Sequence, residues 1–187
     1  HITEHAQDIG VIIQSDNEGN LFFTNPDFNQ EPVLSIGDEI PLATNFDITY
    51  NSENLHSDYI GYLRYQKQEK YFGKYGQKLE FINQFRSKVK IGKDINKAQL
   101  EKMIKSDIGR AYASAVQIKT KVPTWVNKNG LLIEPGQLVE VEFKNARIET
   151  PTLFFIRSVN FTNPPIECEL ELLPQGAFDG DILEFWS

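Results

Sequence analysis

From residue 116 onward the chain alternates apolar and polar side chains with period two, strand after strand, and this constrains its fold more than any other feature. Val116, Ile118 and Thr120 alternate with Gln117 and Lys119. Val139, Val141 and Phe143 alternate with Glu140 and Glu142. Ile166, Cys168, Leu170 and Leu172 alternate with Glu167, Glu169 and Glu171. Successive side chains of a strand point to opposite faces, so each run offers one face to a core and the other to water or a partner. Between them residues 153–161, Leu-Phe-Phe-Ile-Arg-Ser-Val-Asn-Phe, are dense in aromatic and β-branched types. Short strands punctuated by Gly and Pro predict a small antiparallel β-barrel.

Upstream the signals are more mixed. Val11-Ile12-Ile13 and Leu21-Phe22-Phe23 flank Asp16-Asn17-Glu18-Gly19-Asn20, a hairpin pattern with a glycine for the turn. Phe46, Ile48 and Tyr50, then Tyr59, Gly61 and Leu63, predict two more strands joined by the polar stretch 51–58. A helix is expected at about 95–113. Asp94 or Asn96 caps it, and Leu100, Met103, Ile104, Ile108, Ala111 and Ala115 form its apolar stripe, with Gly109 weakening the last turns. Residues 66–93, rich in Lys and aromatics, show no clear period and read as an irregular basic insertion. Ile2, Ala6 and Ile9, closing on Gly10, read as the last turns of a helix, and the first residue is not Met. The expected division is therefore residues 1–30, the end of a truncated α/β helix-hairpin subdomain, followed by a barrel over 31–187. The fold class is mostly β, of the α+β kind.

A length of 187 residues suits one domain or one domain plus a fragment of another. With 40% hydrophobic and 24% charged residues, the composition is that of a folded chain and not of a disordered one. Cys168 is the one cysteine, which excludes an intramolecular disulfide and a cysteine-based zinc site and agrees with synthesis in a reducing cytoplasm. No run approaches the ~20 apolar residues of a membrane span, so no membrane insertion is expected. The net charge of −7 is uneven. Residues 1–60 hold eleven acids and no Lys or Arg; residues 61–105 hold twelve Lys or Arg and four acids; residues 106–187 hold seven and eleven. A basic band between acidic regions points either to nucleic acid or to self-association through an acidic neighbour.

His1-Ile2-Thr3-Glu4-His5 matches H-x-x-E-H, in which two His hold zinc and the Glu acts as base. A solvated helix end is the simpler reading of so short a match. The glutamates at 140 and 142, and at 167, 169 and 171, stand about 7 Å apart along a strand face, within reach of paired-carboxylate hydrolysis. Such ladders are more often just the outer face of a strand. A Ser/His/Asp set and a phosphate-binding glycine loop are both missing, and no catalytic residue, metal or cofactor is expected. Finally, Arg64, Lys67, Lys70, Lys74 and Lys78 interleave with Tyr62, Tyr65, Tyr71, Phe72 and Tyr75, as in sites that grip single strands. The acidic remainder of the chain opposes that reading.

An ordered series of segments goes further. Thr124-Trp125-Val126, then Gly130-Leu131-Leu132-Ile133-Glu134-Pro135-Gly136-Gln137-Leu138-Val139-Glu140-Val141, resembles the end of the baseplate hub protein of Mu-like contractile phages and prophages. That family carries a tryptophan before a glycine turn and then an apolar-x-Pro-x-x-Leu-Val strand. Residues 153–161 resemble its penultimate strand, and Glu169 to Phe178 its closing strand with Pro-x-x-Ala-Phe. Ala6 to Thr24 is similar to the family's helix end and hairpin, and Arg110-Ala111 stands where the family has an Arg- and Ala-rich helix. The likeness runs from residue 6 to about 180. Ile133 replaces a favoured aromatic, Gly136 a usual asparagine, residues 66–93 align poorly, and the family's first tube domain has no counterpart in these residues.

The resemblance implies a structural, non-enzymatic part of a virion tail baseplate, made in the bacterial host cytoplasm. It implies a homotrimer that joins the tail tube to the central spike, its partners, and lets DNA pass transiently through the lumen. On that view Glu140 and Glu142, or Glu167, Glu169 and Glu171, line the lumen, and Arg64, Lys67, Lys70, Lys74 and Lys78 meet an acidic surface of a neighbouring chain. The alternatives are a cell-wall or zinc-dependent hydrolase domain of a tail, and a nucleic-acid-binding module using residues 61–105.

Overall fold

The computed structural model describes residues 12–15, 20–24, 27–38, 43, 45–64, 71–79 and 82–179; for 12–15, 22–24, 71–75 and 77 the description is of the backbone. The H-x-x-E-H segment and the helix end before Gly10 lie outside these residues, as do Lys67 and Lys70.

The expected hairpin is present as β1 (Ile12–Ser15) paired antiparallel with β2 (Leu21–Thr24). The barrel-like part is a curled six-stranded half-barrel sheet built from β3 (Leu34–Gly37), β4 (Asn45–Tyr50), β8 (Val116–Val122), β9 (Leu138–Phe143), β10 (Ile148–Thr162) and β11 (Glu167–Pro174). Its order is β3-β9-β10-β11-β8-β4, antiparallel except that β3 runs parallel to β9. β10 is the longest strand and holds the sheet together, pairing with β9 along its first half and β11 along its second. A register shift between Ile156 and Ser158 bulges the strand at Arg157 and bends it there.

The apolar half of each alternation forms the core. Ile118, Val139, Val141, Phe154, Ile156, Leu170 and Leu172 are fully buried. Each such side chain contributes roughly 1.5–3 kcal/mol relative to leaving it in water.

A second sheet of three strands, ordered β6-β5-β7, contains β5 (Asp58–Arg64), β6 (Tyr71–Lys78) and β7 (Ser87–Lys93). The two strands expected over 45–65 are both present, but β4 joins the large sheet and β5 the small one. The expectation of an irregular 66–93 is corrected here: β6 pairs antiparallel and β7 parallel with β5. The reason lies in the side chains. Lys88, Lys90 and Gly92 occupy the inward positions of β7, so its polar-in alternation does not look like a strand against a core.

Helix α1 (Lys97–Ala115) covers the inner face of the small sheet and runs straight into β8. Of the two expected caps Asn96 is the one used. Its side chain accepts from the Gln99 amide at 2.9 Å, while the Gln99 side chain accepts from the Asn96 amide at 2.8 Å. Leu100, Ile104, Ile108, Ala111 and Ala115 are buried as expected. Gly109 is explained by close approach. A Cβ there would lie 2.6 Å from the Ala177 carbonyl oxygen, in the short helix α2 (Gly176–Asp179) that packs on α1. Likewise a Cβ at Gly61 would lie 2.5 Å from Ile104 Cδ1, so this glycine lets the helix settle onto β5.

Candidate functional surfaces

Both glutamate ladders lie on one face of one sheet, the face opposite the core. Cross-strand register sets Glu171 beside Lys119 and Ser158, and Glu169 beside Lys121 and Asn160. Lys121 Nζ stands 3.7 Å from Glu169, Arg157 3.4 Å from Glu171, and Ser158 Oγ donates to Glu171 at 3.1 Å. The β11 ladder is therefore one row of a mixed-charge surface. The register partners of the β9 pair are uncharged: Leu153 and Ser35 beside Glu140, and Gly37 beside Glu142. Ser35 Oγ donates to Glu140 at 3.1 Å. The i, i+2 spacing revealed both ladders. The cations beside one of them follow from pairing between strands far apart in sequence.

In the basic band the structure separates what sequence order grouped together. Arg64 is exposed at the end of β5, in register with Tyr71 and Lys93. Lys78 is exposed at the end of β6, opposite Asp58, and Lys74 holds the register position opposite Tyr62. The inner face of β7 carries a charge network that sequence reading missed. Asp107, on α1 between Ile104 and Ile108, is buried, with Lys90 Nζ at 2.7 Å, Lys88 Nζ at 3.7 Å and Arg110 hydrogen-bonded to the same carboxylate. Burial pushes its carboxyl pKa up. The hydrogen bonds from Lys90 and Arg110, with the charge of Lys88, outweigh that and hold it below the ordinary carboxylate value. An acid inside an apolar helical stripe, opposite a Lys-x-Lys strand, was the available signal.

Because β7 points its lysines inward, its apolar side chains face out. Val89 and Ile91 are 54% and 43% exposed, and register sets them beside Ile60 and Tyr62 of β5. A second exposed apolar group lies on the large sheet. Residues 126–132 form a tight loop closed by the Val126–Leu132 bridge, with Asn127 Oδ1 accepting from the amides of Asn129 and Leu131 and Gly130 at φ +75°. Trp125 ties it to the tip of β10 and β11, donating from Nε1 to the Glu167 carbonyl at 2.9 Å and meeting Phe161 edge-on. Leu131 is 64% and Ile166 58% exposed on this surface.

For chemistry the described residues offer little. They contain no group of three or more His, Cys, Asp or Glu able to hold a metal. Cys168 is buried in the sheet and its thiol pKa is pushed up to about 12, far from a reactive thiolate. Among the described residues no helix is long and apolar enough to cross a membrane.

The fold has counterparts among solved structures. The tail protein from Neisseria meningitidis MC58 matches with a TM-score of 0.77 at 19% identity, over 96% of this chain and 56% of that one. The 43 kDa tail protein of prophage MuSo2 from Shewanella oneidensis matches with a TM-score of 0.75 at 16% identity, over 95% and 54%. A chain from the virion of a native gene transfer agent particle matches with a TM-score of 0.55 at 8% identity, over 98% and 40%. The chain thus has the fold of phage tail proteins and spans about half the length of the two tail proteins it matches. No family model and no curated protein matches its sequence.

Proposed function

We propose that this chain is a structural, non-enzymatic part of a phage or prophage tail, acting in the baseplate hub. Three copies form a ring that joins tail tube to central spike and lets DNA through at ejection. The observation that carries this reading is the likeness to two tail proteins along 95–96% of the chain, in agreement with the ordered sequence series from residue 6 to about 180. A curled sheet suits such a ring. One face is buried in its own core; the other is covered at one end, where Leu138, Phe155 and Leu173 are buried and Phe178 packs on Phe155, and carries the glutamates along the rest.

Glu140 and Glu142 are the acids proposed for the lumen. Their register neighbours carry no positive charge, so they repel phosphate and keep a passing duplex from sticking. The β11 ladder, matched by Lys119, Lys121 and Arg157, suits this role less well.

The test is the solution mass by light scattering over a range of concentrations. A species approaching three times the 21.5 kDa chain mass supports the ring. A mass that stays at one chain at the highest concentrations contradicts it.

A further inference from the structure

We infer that copies of this chain join head to tail through two apolar surfaces of opposite charge. One is the outer face of the small sheet; the other is the 126–132 loop with the β10–β11 tip. The inference rests on the ring reading and names the surfaces that would build it.

Exposed apolar side chains are ordinary when scattered. Contiguous groups rimmed by charge are a mark of interfaces. The small sheet presents Val89 and Ile91 beside Ile60 and Tyr62. Around them stand exposed Arg64, Lys93 and Lys78, with Asp58 the acid in the same rows. The outer edge of β7 also pairs with no strand among the described residues, and an exposed, partly apolar edge is one that proteins generally cover.

The second surface presents Val126, Leu131, Leu132, Phe161 and Ile166. Its acids are Glu31, 3.4 Å from Lys128 of the loop, Glu134, which follows Ile133 in sequence, and Glu167, whose carbonyl receives the Trp125 indole; three acids against one lysine leave this segment net acidic. This surface is pre-formed. The Asn127 side chain holds the loop, and the Trp125 indole fastens it to the hairpin. Little ordering entropy is then lost on docking.

Charge selects the occupant. Two basic rims would repel, and so would two acidic ones, so neither surface suits itself across a twofold axis. A basic rim against an acidic rim is complementary, and the two surfaces belong to different sheets of the same chain. Contacts of that heterologous kind repeat from copy to copy and make a ring when the rotation between copies closes, as the ring reading requires.

The experiment uses two variants and their mixture. Val89→Asp with Ile91→Asp spoils the first surface, and Leu131→Asp with Ile166→Asp spoils the second. All four positions are exposed, and circular dichroism checks that each variant is folded. Wild type is expected as a trimer and each variant alone as a single chain. An equimolar mixture should stop at two chains, because one good contact forms and neither free end can extend it. If wild type is trimeric and either variant keeps that mass, or the mixture stays monomeric, this inference is overturned while the ring reading stands. Wild type monomeric at every concentration overturns both.

A second measurement does not depend on the aspartates. Ile91→Cys and Leu131→Cys chains are mixed and treated with a short bis-maleimide, the native Cys168 being buried. Cross-links between unlike variants are expected. Links that form only between like variants would show self-pairing, or an acidic partner elsewhere, and reject the head-to-tail contact.

Discussion

The strands β8, β9 and β11 of the large sheet and the edge strand β7 of the small one obey the same period-two rule and use it in opposite senses, while β5 beside β7 buries Tyr59 and Leu63 in the ordinary way. In β8, β9 and β11 the apolar half of the alternation is buried and the charged half lies outside. In β7 the lysines turn in toward α1 and the valine and isoleucine turn out. Period two therefore says that the two faces differ, while the partner across the face says which one is inside. On the large sheet that partner is more apolar side chain. On the small sheet it is a helix carrying Asp107, and that carboxylate recruits Lys88 and Lys90 inward.

The largest effects come from matched substitutions on the two sheets. Val141 is fully buried, and Val141→Lys places an ammonium in the core with no partner, so a loss of more than about 4 kcal/mol is expected. Val89→Lys is the same change on the outward side of β7 and should cost within about 0.5 kcal/mol. Urea unfolding followed by circular dichroism measures both. Equal losses at the two positions would mean that β7 is not inverted.

Next in size is Asp107→Asn. It removes charge-assisted hydrogen bonds to Lys90 and Arg110, and because those cations keep partial access to water the loss should be about 2 kcal/mol. The sign of its pH dependence follows from the lowered folded-state pKa. Stability from this carboxylate is complete above its unfolded value of about 3.9 and is lost as pH falls through the lower folded value. Wild type should weaken more steeply than the Asn variant in that acid window. Parallel pH curves would locate the acid sensitivity elsewhere. Asn96→Ala, which removes half of the capping box on the same helix, should cost about 1 kcal/mol.

The same contrast explains what was legible in the sequence. The strands β8 to β11 and the stripe on α1 could be read because local pattern and global burial agree there. Gly109 read as a weakness because its reason, the Ala177 carbonyl, lies far along the chain. Strand β7 was missed because a Lys-Val-Lys-Ile run over a buried acid imitates a solvated loop, and β6 because Gly73 and Gly76 interrupt its alternation. Local pattern gave both β4 and β5 but not their sheets, since membership depends on β8 and β7 as partners. For the candidate surfaces, the ladders and the basic band were visible as residue types. The cations beside Glu169 and Glu171 were not, because they are a consequence of register.

The smallest expected effect concerns the ion pairs themselves. Lys121 and Glu169 stand 3.7 Å apart on the outer face of the large sheet, with side chains 43% and 40% exposed. Water screens such a pair, and holding two long side chains in place costs entropy, so a double-mutant cycle with Lys121→Ala and Glu169→Ala should give a coupling of no more than about 0.5 kcal/mol. The corresponding cycle between Lys90 and Asp107 should give several times that, because Asp107 is buried and receives short hydrogen bonds. If the two couplings came out alike, burial would not be what distinguishes the sheets' charges, and the inward turn of the β7 lysines would need another cause. If the Lys121 pair were weak for stability yet its loss changed the mass of the assembled species, the outer face of the large sheet would be engaged by a neighbouring copy, and Glu169 and Glu171 would belong to that contact and not to a pore.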